Sequence, residues 1–549
     1  MANWSARRPA NNGAIATMPD QDSGRPSISD SSLSQIDLNI EKVSVSLLAI
    51  LMIYAAVRCY CRAVAQPFWY DEICTFIMVR QQRIPILWSA LKHGADGQPP
   101  VFYLAERLAT ALIPNENVAF RWLSILGLLC TLLCLFLYVR KRRGNAIALL
   151  CAVIPMVTIL YKDYAVESRP YSLVVACIAF ALVCYQRAPA FRWMILMGFS
   201  LALAQSFHYY ALFAFLPFIA SESVLFLMER HLRWPVWLAL ASGLLPLLFF
   251  WPLLWQSKAI YGAHFWSQPS LQVAEQSYGN YLVTDYVTGV LIAAATALAV
   301  LGTMLYKIRS GAREVGSPGE RLQEPILILT LLGLPFVAFV LTKLSHGGLT
   351  DKYMLPAVLA FPLALSYVFP QYERKSKAPL FLFGAFLMAF GYQEIPFWSS
   401  YSGDFSSPAR GVEAFVTVAG HANLPIVVSD PLQFLPLSHY ASPGWNLRFV
   451  SLVDAPQALT YAGQDTPDKQ LPILASYYPL QVYDYQEFAA KHPVFLLYST
   501  NGGVGRDWWP RKLKDDGYML RALAVNPRSR NESFHRVFVF LASRANGAN

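Results

Sequence analysis

Apolar residues run for about twenty positions at a time through most of this chain, and polar residues collect in short intervals between the runs. Unbroken runs of that length predict membrane helices, because a strand with one buried face would alternate instead. The runs fall at about 43–60, 118–138, 144–161, 168–186, 191–208, 209–228, 235–255, 283–306, 325–343, 353–370 and 378–396, which makes 11 spans. Residues 1–40 are polar and predict a disordered tail, and the first run would serve as an uncleaved anchor. The stretch from Val101 to Ile113 is too short to cross, ends at Pro114 and carries Glu106 and Arg107 in its middle. A helix lying in the interface accommodates that pair. From 397 onward the texture changes. Short β-rich runs at 425–428, 447–453, 494–498 and 535–541 alternate with helical patterns at 409–422, 486–492 and 507–515. That alternation predicts a small α/β domain with a partly parallel sheet over 397–549.

Charge then orients the spans. With 101–113 on the surface, the basic loops at Arg140–Arg143, Arg187–Arg192, Arg230–Arg233, Lys307–Arg321 and Arg374–Lys377 all share the side of the N-terminus. The positive-inside rule makes that side cytoplasmic, and 11 spans then send the C-terminal domain outside. Composition agrees with the span reading: 55% of the 549 residues are hydrophobic and 14% are charged, against about a quarter charged in a soluble protein. The net charge of +10 therefore reports topology, and no nucleic-acid partner is expected. Most cysteines fall within spans and none follows Cys184, so no disulfide framework stiffens the C-terminal third.

Candidate chemistry gathers at the outer ends of the spans. The loop from Phe68 to Pro100 holds two acidic clusters, Asp71-Glu72 and Asp96. Carboxylates at a membrane surface beside aromatics are candidates for chemistry, although Asp71-Glu72 also suits a helix N-terminus. Arg169 in Glu167-Ser168-Arg169-Pro170-Tyr171 and Lys352 in Asp351-Lys352-Tyr353 stand on the side where basic residues are disfavoured, which points to an anionic partner. The competing reading pairs Arg169 with Glu167 or Asp163, and Lys352 with Asp351. His208 and Tyr209, and His264 in the loop 257–282, are further candidates for binding. Gly502-Gly503 and Gly505 follow a strand, but their spacing matches no phosphate-binding fingerprint and reads as a turn.

The order of these pieces resembles the GT-C glycosyltransferases. The group it resembles is the bacterial one related to protein O-mannosyltransferases and the lipid A aminoarabinose transferase. The pieces are Asp71-Glu72, Asp96-Gly97-Gln98-Pro99-Pro100-Val101-Phe102-Tyr103, Arg121, Glu167 to Tyr171, and Lys352-Tyr353. The resemblance spans about 43–400. It departs at Gln98, where the family often has His, and at Lys352, where it often has Arg. It implies an α-helical polytopic GT-C fold and a polyprenyl-phosphate sugar donor. It also implies transfer to a glycan, lipid or protein acceptor on the outer face of a bacterial inner membrane. In that frame Asp71 is the first candidate for the base and Glu72 the second. Asp96 would hold the acceptor, orient Asp71 or share a divalent ion with it. Arg169, Lys352 and Tyr353 would hold the donor phosphate, while Arg121, Tyr171, His208, Tyr209 and His264 are candidate substrate contacts. Two alternatives stay open. One is a secondary transporter, which would show repeat symmetry that the sequence lacks. The other is an O-antigen ligase or polymerase using a diphosphate-linked donor.

Overall fold

A computed structural model describes residues 30–262, 264–310, 317–369, 378–421, 423–500, 503–526 and 537–544, with side chains from Lys42 onward. The loop at Arg374–Lys377, part of the loop 307–321 and Gly502 lie outside the described residues. The first helix, α1 (Asp30–Ala65), starts ahead of the expected span, so its backbone is already helical over the last eleven residues assigned to the tail. Three short helices follow: α2 (Tyr70–Val79), α3 (Ile84–Lys92) and α4 (Pro100–Leu112). The α4 helix begins where Pro99 and Pro100 fix an extended entry and a first helical turn. Its charged pair does not pair internally. Arg107 donates to the carbonyls of Val79 and Gln81 at the end of α2 (3.3 and 2.7 Å), while Glu106 is fully buried and Leu108 and Leu112 are exposed.

Five described helices are long and apolar enough to cross a membrane: Lys42–Ala65, Trp122–Arg143, Tyr209–Glu229, Trp234–Tyr261 and Tyr286–Arg309. Two bent pairs, 145–166 and 318–345, raise the number to as many as seven. The helices Tyr171–Tyr185 and Phe191–Phe207 are apolar but shorter. Against the expected 11, the runs at 168–186 and 191–208 form these two shorter helices, the last run lies in the helix Ala378–Ser400, and three others are broken within the run. Pro155 sits in the first bend, Gly333 and Pro335 flank the second, and the run after Asp351 opens as a 3₁₀ segment containing Pro356. Helices 122–143 and 171–185 approach so closely at Gly127 that a Cβ there would lie 2.7 Å from the Ser172 backbone. The basic cluster Arg140–Arg143 ends helix 122–143 and Arg121 precedes it, so the two are separated by about 33 Å of helix.

The C-terminal region forms one six-stranded sheet, β1 (Ile426–Val428), β2 (Phe449–Val453), β3 (Val482–Asp484), β4 (Val494–Ser499), β5 (Tyr518–Asn526) and β6 (Val537–Arg544). Its order is β3-β2-β1-β4-β6-β5. The pairs β2–β3, β1–β2 and β1–β4 are parallel, and β4–β6 and β5–β6 are antiparallel. The sheet is thus partly parallel, as expected, but β3 and β5 and the helices Pro431–His439, Ala455–Ala462 and Thr466–Ala475 were not anticipated. Alternation along β1 divides the core. Ile426 and Val428 pack with the cluster that continues into the membrane helices, and Val427 packs with Trp508, Trp509 and Phe488 on the far face. Strand order reverses between β2-β1 and β4, and a crevice outside the carboxyl ends of parallel strands at such a reversal is a common place for a ligand. That edge of the sheet faces the membrane helices.

Candidate active site

The site starts from the turn that begins α2. Trp69 is the N-cap, and Asp71 and Glu72 occupy the second and third helical positions, where carboxylates suit the helix dipole. Successive helical residues point about 100° apart, so the two carboxylates leave the helix in different directions. Glu72 turns inward. Its Oε1 accepts from Arg121 Nε (2.8 Å) and the Ser168 amide (2.8 Å), and its Oε2 accepts from Arg121 Nη2 (2.7 Å) and the Trp69 amide (3.2 Å). Arg121 spends its remaining donors on the carbonyls of Ala63, Gln66 and Pro67 at the end of α1. Both side chains of this pair are 0% exposed.

Asp71 turns toward a cavity of about 170 Å³. There its Oδ2 accepts from Lys352 Nζ at 2.7 Å. Asp96 also lines the cavity, and it accepts two parallel bonds from Arg169 (Nη1 to Oδ2 2.6 Å, Nη2 to Oδ1 3.2 Å) plus the Gly97 amide at 2.7 Å. The same Nη1 lies 3.3 Å from the Asp71 carbonyl and 3.2 Å from Thr75 Oγ1. Each acidic cluster of the first loop therefore takes one of the two late cations. This corrects the near-neighbour alternatives: Asp163 pairs with Arg62, and Asp351 accepts from Asn280 and from its own segment.

Aromatic rings wall the cations. Lys352 Nζ lies 5.1 Å from the Trp69 ring centre and 5.4 Å from that of Tyr171, within cation–π range. Tyr353 packs against His208 and Tyr210 with ring centres 5.0 and 4.4 Å apart. Of the sequence candidates, Asp71, Asp96, Arg169, Tyr171, His208, Lys352 and Tyr353 line the cavity. Glu72, Arg121, Tyr209 and His264 do not. Arg121 has each of its donors engaged within the fold. Tyr210 takes the place expected of Tyr209, and Phe265 and Trp266 take that of His264. The loop is fastened just after Phe265. Ser267 and Leu349 bond to each other, and the Trp266 amide donates to Thr466 Oγ1 at 3.0 Å.

The far wall was not legible in the sequence. Leu432, Gln464, Thr466, Pro467, Gln470 and Arg506 reach it from the C-terminal domain. Leu432 follows β1 and Arg506 follows β4, so the reversal edge of the sheet closes the cavity. Their signal would have been contact across hundreds of residues, which no local pattern carries.

Electrostatics sort the titratable groups. Burial pushes the Asp71 carboxyl up, but Lys352 and Arg169 outweigh it and hold the carboxyl below its usual range. Glu167, buried behind the cavity, is pushed up to about 8 by burial; Lys352 pulls against this, and Asp71 and Glu72 add to it. It is thus protonated at neutral pH. His208 is lowered to about 3 by burial and by Arg169 and Lys352. Its Nδ1 accepts from the Tyr210 amide (3.1 Å), which leaves Nε2–H as the donor of a neutral ring.

A divalent ion does not fit these residues. Both Asp96 oxygens are engaged by Arg169, Asp71 is engaged by Lys352, and no third His, Cys, Asp or Glu joins them among the described residues. An ion would sit beside two cations, without the converging oxygens it requires.

The family model described as dolichyl-phosphate-mannose-protein mannosyltransferase matches residues 97–255. No curated protein matches the chain by sequence. Among solved structures, ArnT from Cupriavidus metallidurans bound to undecaprenyl phosphate aligns at 12% identity and a TM-score of 0.50, covering 90% of this chain and 97% of ArnT. The Archaeoglobus fulgidus oligosaccharyltransferase tethered to an acceptor peptide aligns at 10% identity and a TM-score of 0.46, covering 86% of this chain and 73% of that one. The same enzyme in complex with zinc and sulfate aligns at 11% identity and a TM-score of 0.46, over 86% and 72%. With its helical membrane part, its C-terminal sheet and the ArnT likeness over nearly the whole of both chains, the protein is a polytopic membrane protein with the GT-C glycosyltransferase fold.

Proposed function

We propose that the protein is an inverting glycosyltransferase that moves a sugar from a polyprenyl-phosphate donor to an acceptor hydroxyl. The observation that carries this reading is the meeting of Asp71–Lys352 and Asp96–Arg169 in one aromatic-walled cavity at the ends of membrane helices. The charges lining that cavity are Asp71 and Asp96 against Arg169, Lys352 and Arg506. Two negative and three positive charges leave one positive charge over, which suits a phosphate. The ArnT structure with undecaprenyl phosphate supports a lipid-linked donor.

The acceptor oxygen attacks the anomeric carbon on the face opposite the phosphate. The bond from that carbon to the phosphate oxygen breaks, and its electron pair leaves with the polyprenyl phosphate. The hydroxyl proton passes to the Asp71 carboxylate. Lys352 has three N–H donors and uses one on Asp71, so the others can meet phosphate oxygens as charge builds there. A carboxylate as acidic as Asp71 takes the proton late, once the new C–O bond has made that proton labile. When Lys352 turns toward phosphate, its pull on Asp71 weakens and the base strengthens. Arg169 is committed to Asp96, so its effect on the phosphate is mainly its charge. The site would face the outer side of a bacterial inner membrane, with the C-terminal domain over it and a glycan, lipid or protein as acceptor.

The test is sugar transfer by purified, reconstituted protein. Labelled polyprenyl-phosphate sugars are offered with membrane and cell-wall acceptors, wild type beside Asp71→Asn. Transfer with inverted anomeric configuration, reduced about 10²- to 10⁴-fold in the variant, is expected for loss of a general base. Full activity of Asp71→Asn would remove that residue from the role. No transfer from any donor by folded wild type would remove the reaction.

A further inference from the structure

Both acidic segments of the cavity reach the same side chain. Gln470, on the helix Thr466–Ala475 of the C-terminal domain, accepts from the Tyr70 hydroxyl at 2.9 Å through Oε1. Its Nε2 donates to the Ala95 carbonyl, also at 2.9 Å. Tyr70 precedes Asp71 and Ala95 precedes Asp96, and both residues are buried. The second Nε2 hydrogen faces only Cys74 sulfur at 3.9 Å, a weak acceptor. The amide is thus committed to the two segments, although its side chain forms part of the cavity wall.

The Ala95 amide donates to the Ala90 carbonyl at 3.0 Å, and the adjoining residue is held from another helix. Gly94 has φ +86° and approaches Tyr261 so closely that a Cβ would lie 2.9 Å from the ring. The Tyr261 hydroxyl donates to the Gly94 carbonyl at 2.5 Å. One residue on, Gln470 takes the next carbonyl. Lys469 adds a bond to the Ile260 carbonyl (3.1 Å), which joins the same helix of the C-terminal domain to the helix that carries Tyr261.

We propose that Gln470 is a positioning residue, and that through it the C-terminal domain sets the spacing of Asp71–Lys352 and Asp96–Arg169. The domain is then a structural part of the active centre. This inference rests on the transfer reaction proposed above. An amide serves because the two partners need opposite roles at one place: an acceptor for the tyrosine hydroxyl and a donor for the carbonyl.

The test uses the full reconstituted protein. Gln470→Leu keeps the bulk and loses both bonds. Its kcat is expected to fall by up to about 10²-fold, the scale of a misplacement near 1 Å, with donor KM within about twofold of wild type. Gln470→Glu gives the readout that general destabilisation would not. Its ionised carboxylate accepts from Tyr70 but repels the Ala95 carbonyl, whereas its protonated form donates there. The ratio of variant to wild-type activity is therefore expected to rise as pH falls from about 6 to about 4, the range through which a glutamate ordinarily titrates. Tyr70→Phe and Gln470→Leu, alone and together, are compared by thermal unfolding, and non-additive effects are expected for residues in contact. Unchanged kcat in the leucine variant, a flat activity ratio, or additivity of Tyr70→Phe with Gln470→Leu would each overturn the inference. If wild type transfers no sugar, the proposed reaction fails and the coupling measurement alone decides the role of Gln470.

Discussion

Asp71 and Glu72 are neighbours on one helical turn, yet they sit in opposite chemical settings. Glu72 is fully buried, with four donors on its two oxygens and an arginine whose every donor is used. Asp71 is 23% exposed at the cavity, holding a lysine whose two other donors are available. The first pair is a joint, fastening the end of α1 to α2, to the start of helix 122–143 and to Ser168. The second faces the cavity, and in the proposed reaction it would exchange partners with the substrate. Burial and completeness of hydrogen bonding separate the closed pair from the open one here, and residue type does not. A buried pair of this kind is costly to break because the survivor is left uncompensated.

Four measurements test that contrast. The largest effect belongs to Asp71→Asn, which is expected to cost about 10²- to 10⁴-fold in kcat while the thermal midpoint stays near wild type. A large drop in the midpoint would make Asp71 a second joint. Arg121→Met should do the reverse. It strands the Glu72 charge and should cost about 3–5 kcal/mol of stability, read as poor recovery of folded protein or a lowered unfolding midpoint. Adding Glu72→Gln should return part of that loss, and wild-type stability of Arg121→Met alone would remove the joint. Lys352→Met is expected to raise donor KM by about tenfold, the size of one charge-assisted hydrogen bond, with Lys352→Arg recovering much of it. A change confined to acceptor KM would move Lys352 away from the phosphate.

The smallest effect is a pH slope. Glu167 has a folded value of about 8, above its ordinary 4.5. Between those values the folded form holds a proton that the unfolded form has lost, so stability falls as pH rises through that window. Glu167→Gln should remove this contribution and flatten the dependence. It should also leave transfer at neutral pH near wild type, because the amide resembles the protonated carboxyl. An unchanged slope in unfolding measured across pH 5 to 8 would show that Glu167 is ionised in the folded protein.

The C-terminal domain gives a second view of the same distinction. Its strands β1, β2, β4 and β6 announced themselves as apolar, β-branched runs. Of the three residues of β3, Val482 is half-buried and Tyr483 and Asp484 are exposed, and β5 is interrupted by a bulge between Ala522 and Ala524, so neither repeats a clean pattern. Nothing in these local runs shows that Leu432, in the helix after β1, and Arg506, on the loop after the adjacent parallel strand β4, turn toward the membrane helices.

Read alone, the order of residues established the helical membrane architecture, the change to an α/β region, and the charged and aromatic residues on the membrane side of the cavity. Apolar run length, charge placement and strand alternation are local properties, and solvation acts on them directly. Tertiary structure decided the partners. It gave Lys352 to Asp71 across 281 positions, Arg169 to Asp96 across 73 and Arg121 to Glu72 across 49. It also placed Gln470 between two segments some 400 and 375 positions away. Near-neighbour pairing was the simpler expectation, but close packing and the need to satisfy every buried charge selected the distant partners.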